Sequence, residues 1–151
     1  MLRMCIEELV DRALHTLNNL YGIRCDVDAR ELLEYLSGPT YEEDTIGFER
    51  IARNELLFLH EVAEICILKS WGFEIGRDTV VKAYPRTYAA HLEAMEIELR
   101  EALRRGAVEH LGSRCRDLET YLEDPYLPQE LEDRVRELLS LYCKILRAPS
   151  P

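Results

Sequence analysis

His60 and Glu64 stand one helical turn apart in the stretch Asn54-Glu55-Leu56-Leu57-Phe58-Leu59-His60-Glu61-Val62-Ala63-Glu64-Ile65-Cys66-Ile67-Leu68. Imidazole and carboxylate together form a ligand set that suits a divalent Zn, Fe or Mn ion. The segment around them is apolar on nearly every side, which marks a central helix. Ionisable groups buried in such a helix are costly unless they are paired, hydrogen-bonded or bound to a metal. On a helical wheel His60 and Glu64 share a face with Leu57, Ile67 and Trp71, and Glu61 sits at its edge. Glu55 points roughly the other way, among Phe58, Val62 and Cys66.

A second long helix supplies the complement. Arg86, Glu93, Glu96, Arg100 and Arg104 gather on one side of it, the side expected to face water. His91 falls opposite, in a row with Tyr84, Tyr88, Met95, Glu98 and Ala102. Tyr84 and Tyr88 are positioned to offer hydroxyl hydrogen bonds there. A connector of about a dozen residues joins the two helices, and antiparallel packing is the simplest geometry for it. That packing sets Glu64 near the level of His91, and His60 near Met95 and within about one turn of Glu98. The expected metal ligands are therefore His60, Glu64, His91 and Glu98, with Glu61 or Glu64 as general base on a metal-bound water. The reaction would be hydrolytic or redox according to the metal.

Two plainer readings stand beside this one. In these, His60, Glu61 and Glu64 with Arg53 form a wetter strip of a helix otherwise clothed in protein, and His91 forms a buried hydrogen-bonded pair with Glu98 or bonds a tyrosine. The corresponding function is a non-catalytic interaction or assembly module. In that case exposed Trp71, Phe73, Tyr126 or Leu127 would seed a homo-oligomer or a partner groove.

Familiar motifs are missing. His60-Glu61-Val62-Ala63-Glu64 shares the first two residues of the zincin His-Glu-x-x-His pattern, but Glu64 stands where the second histidine belongs. In di-iron carboxylate bundles Glu precedes His by three, whereas here Glu61 and Glu64 follow His60. Gly72-x-x-x-Gly76 lacks the Lys-Ser/Thr of a phosphate loop, and no Gly-x-Ser-x-Gly elbow occurs. The remaining histidines are expected near solvent: His15 half exposed beside Leu14, and His110 solvated near a helix end.

The bulk properties narrow the function classes. The chain has 151 residues, 47% of them hydrophobic, and a formal net charge of -10. An acidic surface repels phosphate backbones, and the short basic spots Arg104-Arg105 and Arg114/Arg116 sit beside Glu109, Asp117 and Glu119, so no nucleic-acid partner is expected. Leu56–Leu68 is too short to span a bilayer and His60, Glu61 and Glu64 interrupt it, so no membrane role is expected. The N-terminus meets Glu7 and Glu8 too early for a secretory signal, which makes the cytoplasm the expected compartment. Cys5, Cys25, Cys66, Cys115 and Cys143 are odd in number, widely spaced and without a Cys-x-x-Cys pair, which argues against a disulfide framework or zinc ribbon. Core packing is expected for Cys5, Cys66 and Cys143.

The elements that must position the site are all helical. Ile6, Leu9, Ala13, Leu17 and Leu20 predict a helix over Leu2–Tyr21 that stops at Gly22. Asp28 with Glu31 predicts a capping box for a short helix through Leu36, and Gly38-Pro39 ends it. Thr40 to Thr45 reads as a loop or loose turn. Further helices are expected over Ile46–Trp71, Pro85–Arg105, Ala107–Leu122 with a break near Gly112, and Pro128–Leu146. The connector Gly72–Ala83 reads as turns, with Thr79-Val80-Val81 extended. The tail Ala148–Pro151 reads as frayed. The expected fold is an all-α, single-domain helical bundle of five to six helices around a central apolar helix.

Overall fold

The computed structural model describes residues 2–40 and 47–144. Most of the loop expected over Thr40–Thr45, the packing of Cys5 and the tail Ala148–Pro151 lie outside the described residues. Among the described residues there is no strand, and the regular structure is eight α-helices with two further helical segments. The extra helices, against the five to six expected, come from local capping chemistry. The chain divides into two compact units, Met1–Ile97 and Glu98–Pro151.

The first unit holds α1 (Leu2–Tyr21), α2 (Ala29–Ser37), α3 (Phe48–Ala52), α4 (Glu55–Ser70), α5 (Thr79–Lys82) and the first part of α6 (Arg86–Arg105). The single helix expected over Ile46–Trp71 is divided at Asn54. The Asn54 side chain accepts hydrogen bonds from the backbone N–H groups of Leu56 and Leu57, both at 3.0 Å. It thereby closes α3 and starts α4 as an N-cap. Thr79-Val80-Val81 is helical, not extended. The Thr79 hydroxyl accepts from the Gly76 N–H at 2.8 Å and donates to the Glu74 carbonyl at 2.9 Å, which tightens the turn that leads into α5.

α4 is central, as its pattern predicts. Leu56 to His60 and Val62 to Cys66 are all buried. Its core neighbours in this unit are Ile6, Val10, Ala13 and Leu17 of α1, Leu32 and Tyr35 of α2, Ile51 of α3, and Ala90, Ala94 and Ile97 of α6. On α1 the buried stripe runs through Val10, while Leu20 is exposed. Trp71 and Phe73 pack at the margin of this core instead of standing exposed, and Arg86 lies 4.3 Å over the Trp71 ring.

α2 is placed beside α4 by two devices. The expected capping box is present: the Glu31 N–H donates to Asp28 Oδ1 at 2.8 Å, and the Asp28 N–H donates to Glu31 Oε1 at 3.4 Å. Lys69, near the end of α4, then pairs with Glu31 at 2.7 Å and also donates to the Asp26 carbonyl. One turn along α2 from Glu31 comes Tyr35, and just over one turn back along α4 from Lys69 comes Glu64. Cys25 and Cys66 form a disulfide that fastens the segment after α1 to α4.

The second unit holds the remainder of α6, α7 (Val108–Tyr121), a 3₁₀ turn over Gln129–Leu131, α8 (Glu132–Leu138) and a π-helical continuation over Leu139–Cys143. α7 runs unbroken through Gly112, so the break expected there is absent. Here Leu111, Cys115 and Leu118 of α7 are buried, as are Val135, Leu138 and Cys143. Cys115 and Cys143 form a second disulfide. Of the remaining residues proposed to form an exposed apolar surface, Tyr126 is exposed and Leu127 half-buried.

Both disulfides overturn the reading of the cysteines as a set of unpaired thiols. Pairing depends on spatial proximity, and Cα–Cα distances of 5.6 and 5.8 Å lie within bridging range. No described helix is long and apolar enough to cross a membrane.

Candidate metal centre

Three donor atoms converge where α4 faces α6 inside the first unit. His60 Nε2 stands 3.0 Å from His91 Nδ1 and 3.2 Å from Glu64 Oε2, and His91 Nδ1 stands 3.5 Å from Glu64 Oε2. The two imidazole rings lie 4.6 Å apart at an interplanar angle of 58°. Ala90 and Ala94, on α6 with His91, are fully buried in the same core as α4.

These spacings match a coordination sphere. With bonds of about 2.0–2.1 Å to nitrogen and oxygen, tetrahedral ligands stand roughly 3.3–3.4 Å apart. His60 Nε2, His91 Nδ1 and Glu64 Oε2 are the atoms that would hold a cation there. Among the described residues, His60, Glu64 and His91 form the group of histidine, cysteine and carboxylate side chains able to hold a metal ion. The cluster is compatible with a divalent-metal site.

The site is polar in a dry place. His60 is 1% exposed and Glu64 8%. Burial pushes the Glu64 carboxyl toward its neutral form. Hydrogen bonds to His60 and His91, and the charges of the two rings, outweigh that effect and hold its pKa well below the usual carboxylate range. Glu64 is thus an anion at neutral pH. An ionised carboxylate only accepts, so a ring nitrogen facing Oε2 donates to it while it carries a proton and can ligate a cation only once that proton has left.

The other Glu64 oxygen is occupied. The Tyr35 hydroxyl donates to Oε1 at 2.9 Å, and Tyr35 is 3% exposed. The sequence reading named Tyr84 and Tyr88 for such a role. Tyr88 lies beside His91 in a T-shaped arrangement, with centroids 6.2 Å apart at 85°. Tyr35 was legible only as an aromatic on the buried stripe of α2, next to Leu36 and one turn from Leu32. Nothing local connects it with a residue 29 positions away.

The structure places the remaining expected residues as follows. Glu61 is half-buried beside His60 on α4 and does not belong to the three-residue group. Glu55 is exposed and pairs with Arg12 at 3.3 Å. Glu98 is buried within the second unit, where its Oε2 faces His110 Nε2 and lies 2.8 Å from Arg114 Nε. Burial works against the Arg114 charge, but Glu98 outweighs it and raises the guanidinium pKa. His110 is mostly buried against Glu98, not solvated as its place near a helix end suggested. His15 is exposed, with Asn19 Nδ2 at 2.8 Å from its Nε2.

No protein-family model, curated protein or solved structure matches the chain.

Proposed function

We propose that this protein binds one divalent metal ion through His60 Nε2, His91 Nδ1 and one oxygen of Glu64. The observation that carries this reading is the mutual spacing of those three atoms, 3.0, 3.2 and 3.5 Å, in a buried setting. Two imidazoles and a carboxylate suit Zn, Fe or Mn. Zinc would direct the centre to hydrolysis by lowering the pKa of a bound water, and iron or manganese would open redox chemistry. Glu61, half-buried and adjacent to His60 on α4, or Glu64 itself would be the carboxylate that moves a proton.

The test is metal analysis on protein purified without a histidine tag and dialysed against Zn, Fe(II) or Mn(II). One equivalent per chain in the wild type, and loss of binding in the H60A/H91A double variant, supports the reading. A chain that retains no metal under these conditions, and whose melting temperature a chelator leaves unchanged, removes it.

A further inference from the structure

The metal reading above fixes which atoms would hold the ion, and the surroundings of Glu64 say what else the ion can hold. A carboxylate binds a metal through one oxygen or through two. Here Oε1 receives the Tyr35 hydroxyl at 2.9 Å, while Oε2 faces both imidazoles. Tyr35 is buried, so bulk water does not compete for its hydroxyl. The bond holds Oε1 toward α2 while Oε2 faces the imidazoles, an orientation that favours one-oxygen ligation.

Three single-atom protein ligands do not fill a coordination sphere. They leave one position of a tetrahedron open, or three of an octahedron. Among the described residues no fourth histidine, cysteine or carboxylate joins the group. Burial around the group is uneven: the side chain of His60 is 1% exposed and that of His91 25%. A small ligand would therefore reach the ion past His91.

Resting on the metal reading, we propose that Tyr35 is a positioning residue that keeps Glu64 a one-oxygen ligand. The centre it shapes takes an exogenous small oxygen or anionic ligand, a water or a small monoanion, on the His91 side. This distinguishes an open, reactive centre from a closed structural one.

Cobalt(II) and azide test it on the full chain. Cobalt uptake is first measured as equivalents per chain, and uptake near zero overturns the metal reading itself. With cobalt bound, the visible ligand-field spectrum reports coordination number. Azide is expected to change the wild-type spectrum saturably. A spectrum indifferent to azide means the sphere is closed, and it overturns the open centre while leaving metal binding intact.

Y35F removes one oxygen atom and keeps the ring. It is expected to bind cobalt about 10–100-fold more weakly, as loss of a partner that orients a metal ligand typically does. Its bands should weaken toward those of a higher coordination number, because Glu64 gains the freedom to bind through both oxygens. A Y35F spectrum and affinity equal to the wild type overturn the positioning role. A purely structural role for the hydroxyl would lower thermal stability and leave the spectrum in place. The wild-type azide titration does not depend on whether Y35F folds.

Discussion

At the scale of single residues the centre makes an acid-stability prediction for the metal-free protein. The Glu64 carboxyl is held below its ordinary range by His60 and His91. A group whose folded pKa lies below its unfolded value contributes stability above the unfolded pKa, about 4.3 for glutamate, and loses it as pH falls through the folded value. Stability of the apo protein should therefore drop on acidification below the ordinary carboxylate range. E64Q should lower stability at neutral pH and flatten that acid limb, read from urea midpoints at several pH values. An E64Q acid limb as steep as the wild type's would show that Glu64 does not carry the dependence. In the loaded protein protons compete with the ion for the ligating histidines, so metal should leave on acidification. Part of this centre was legible in the sequence. His60 and Glu64 one turn apart on an apolar helix, and His91 on the dry face of the next long helix, are the kind of misfit that patterning exposes. Glu98 shares the His91 face by spacing alone, yet its partners are His110 and Arg114, twelve and sixteen positions on, which a wheel for one helix cannot display. Tyr35 was hidden for the same reason, since its role comes from a helix earlier in the chain.

At the scale of elements the fold follows local chemistry most closely where a cap or a glycine is decisive. Asn54 converts an apparently continuous helix into α3 and α4 and fixes where His60 falls on the turn count of α4. N54A should cost about 1 kcal/mol, the usual loss of a side-chain N-cap. Thermal melting of the variant measures this, and an unchanged midpoint would mean the division is dictated by packing instead. Gly38 is a second decisive position. A Cβ built there would lie 1.7 Å from the Arg77 carbonyl oxygen, a backbone atom with little freedom to yield. G38A should therefore destabilise the first unit by more than N54A does, and a neutral melting result would show that the segment around Arg77 moves aside. The long helices α1 and α6 were readable because twenty residues of 3.6-residue periodicity outweigh local ambiguity, whereas α4 was legible as an apolar run and its start at Asn54 was not. Thr79-Val80-Val81 misled because β-branched residues favour strands in isolation, whereas the Thr79 hydroxyl here ties up Glu74 and Gly76 and starts a helical turn. Gly72 behaved as read. It takes φ 91 after α4, a conformation that favours glycine, and lets the Phe73 N–H reach back to the Leu68 carbonyl at 3.0 Å.

At the scale of the whole molecule each compact unit holds one disulfide: Cys25–Cys66 in Met1–Ile97 and Cys115–Cys143 in Glu98–Pro151. Five scattered cysteines concealed this, because pairing is a property of the folded chain and an odd count dilutes the signal. Disulfides persist in oxidising surroundings and in the cell interiors of hyperthermophiles, so the bridges constrain the environments in which this chain keeps its fold. The bridged pairs are 41 and 28 residues apart, and chain-entropy arguments give about 3–4 kcal/mol for each. The two bridges should nonetheless differ in what their loss does to the metal. Cys66 lies on α4 two residues beyond Glu64, and its partner Cys25 sits one residue before Asp26, whose carbonyl accepts from Lys69 of the same helix. Opening that bridge frees the segment leading into α2, the helix that carries Tyr35 to Glu64. C25S is therefore expected to lower both the melting temperature and metal affinity. C143S should lower the melting temperature while metal stoichiometry stays at one per chain, because every proposed ligand belongs to the first unit. Melting curves with and without metal, paired with equilibrium dialysis of each variant, separate the two. Equal losses of affinity in C25S and C143S would show that the centre answers to the stability of the whole chain and not to the frame around α4.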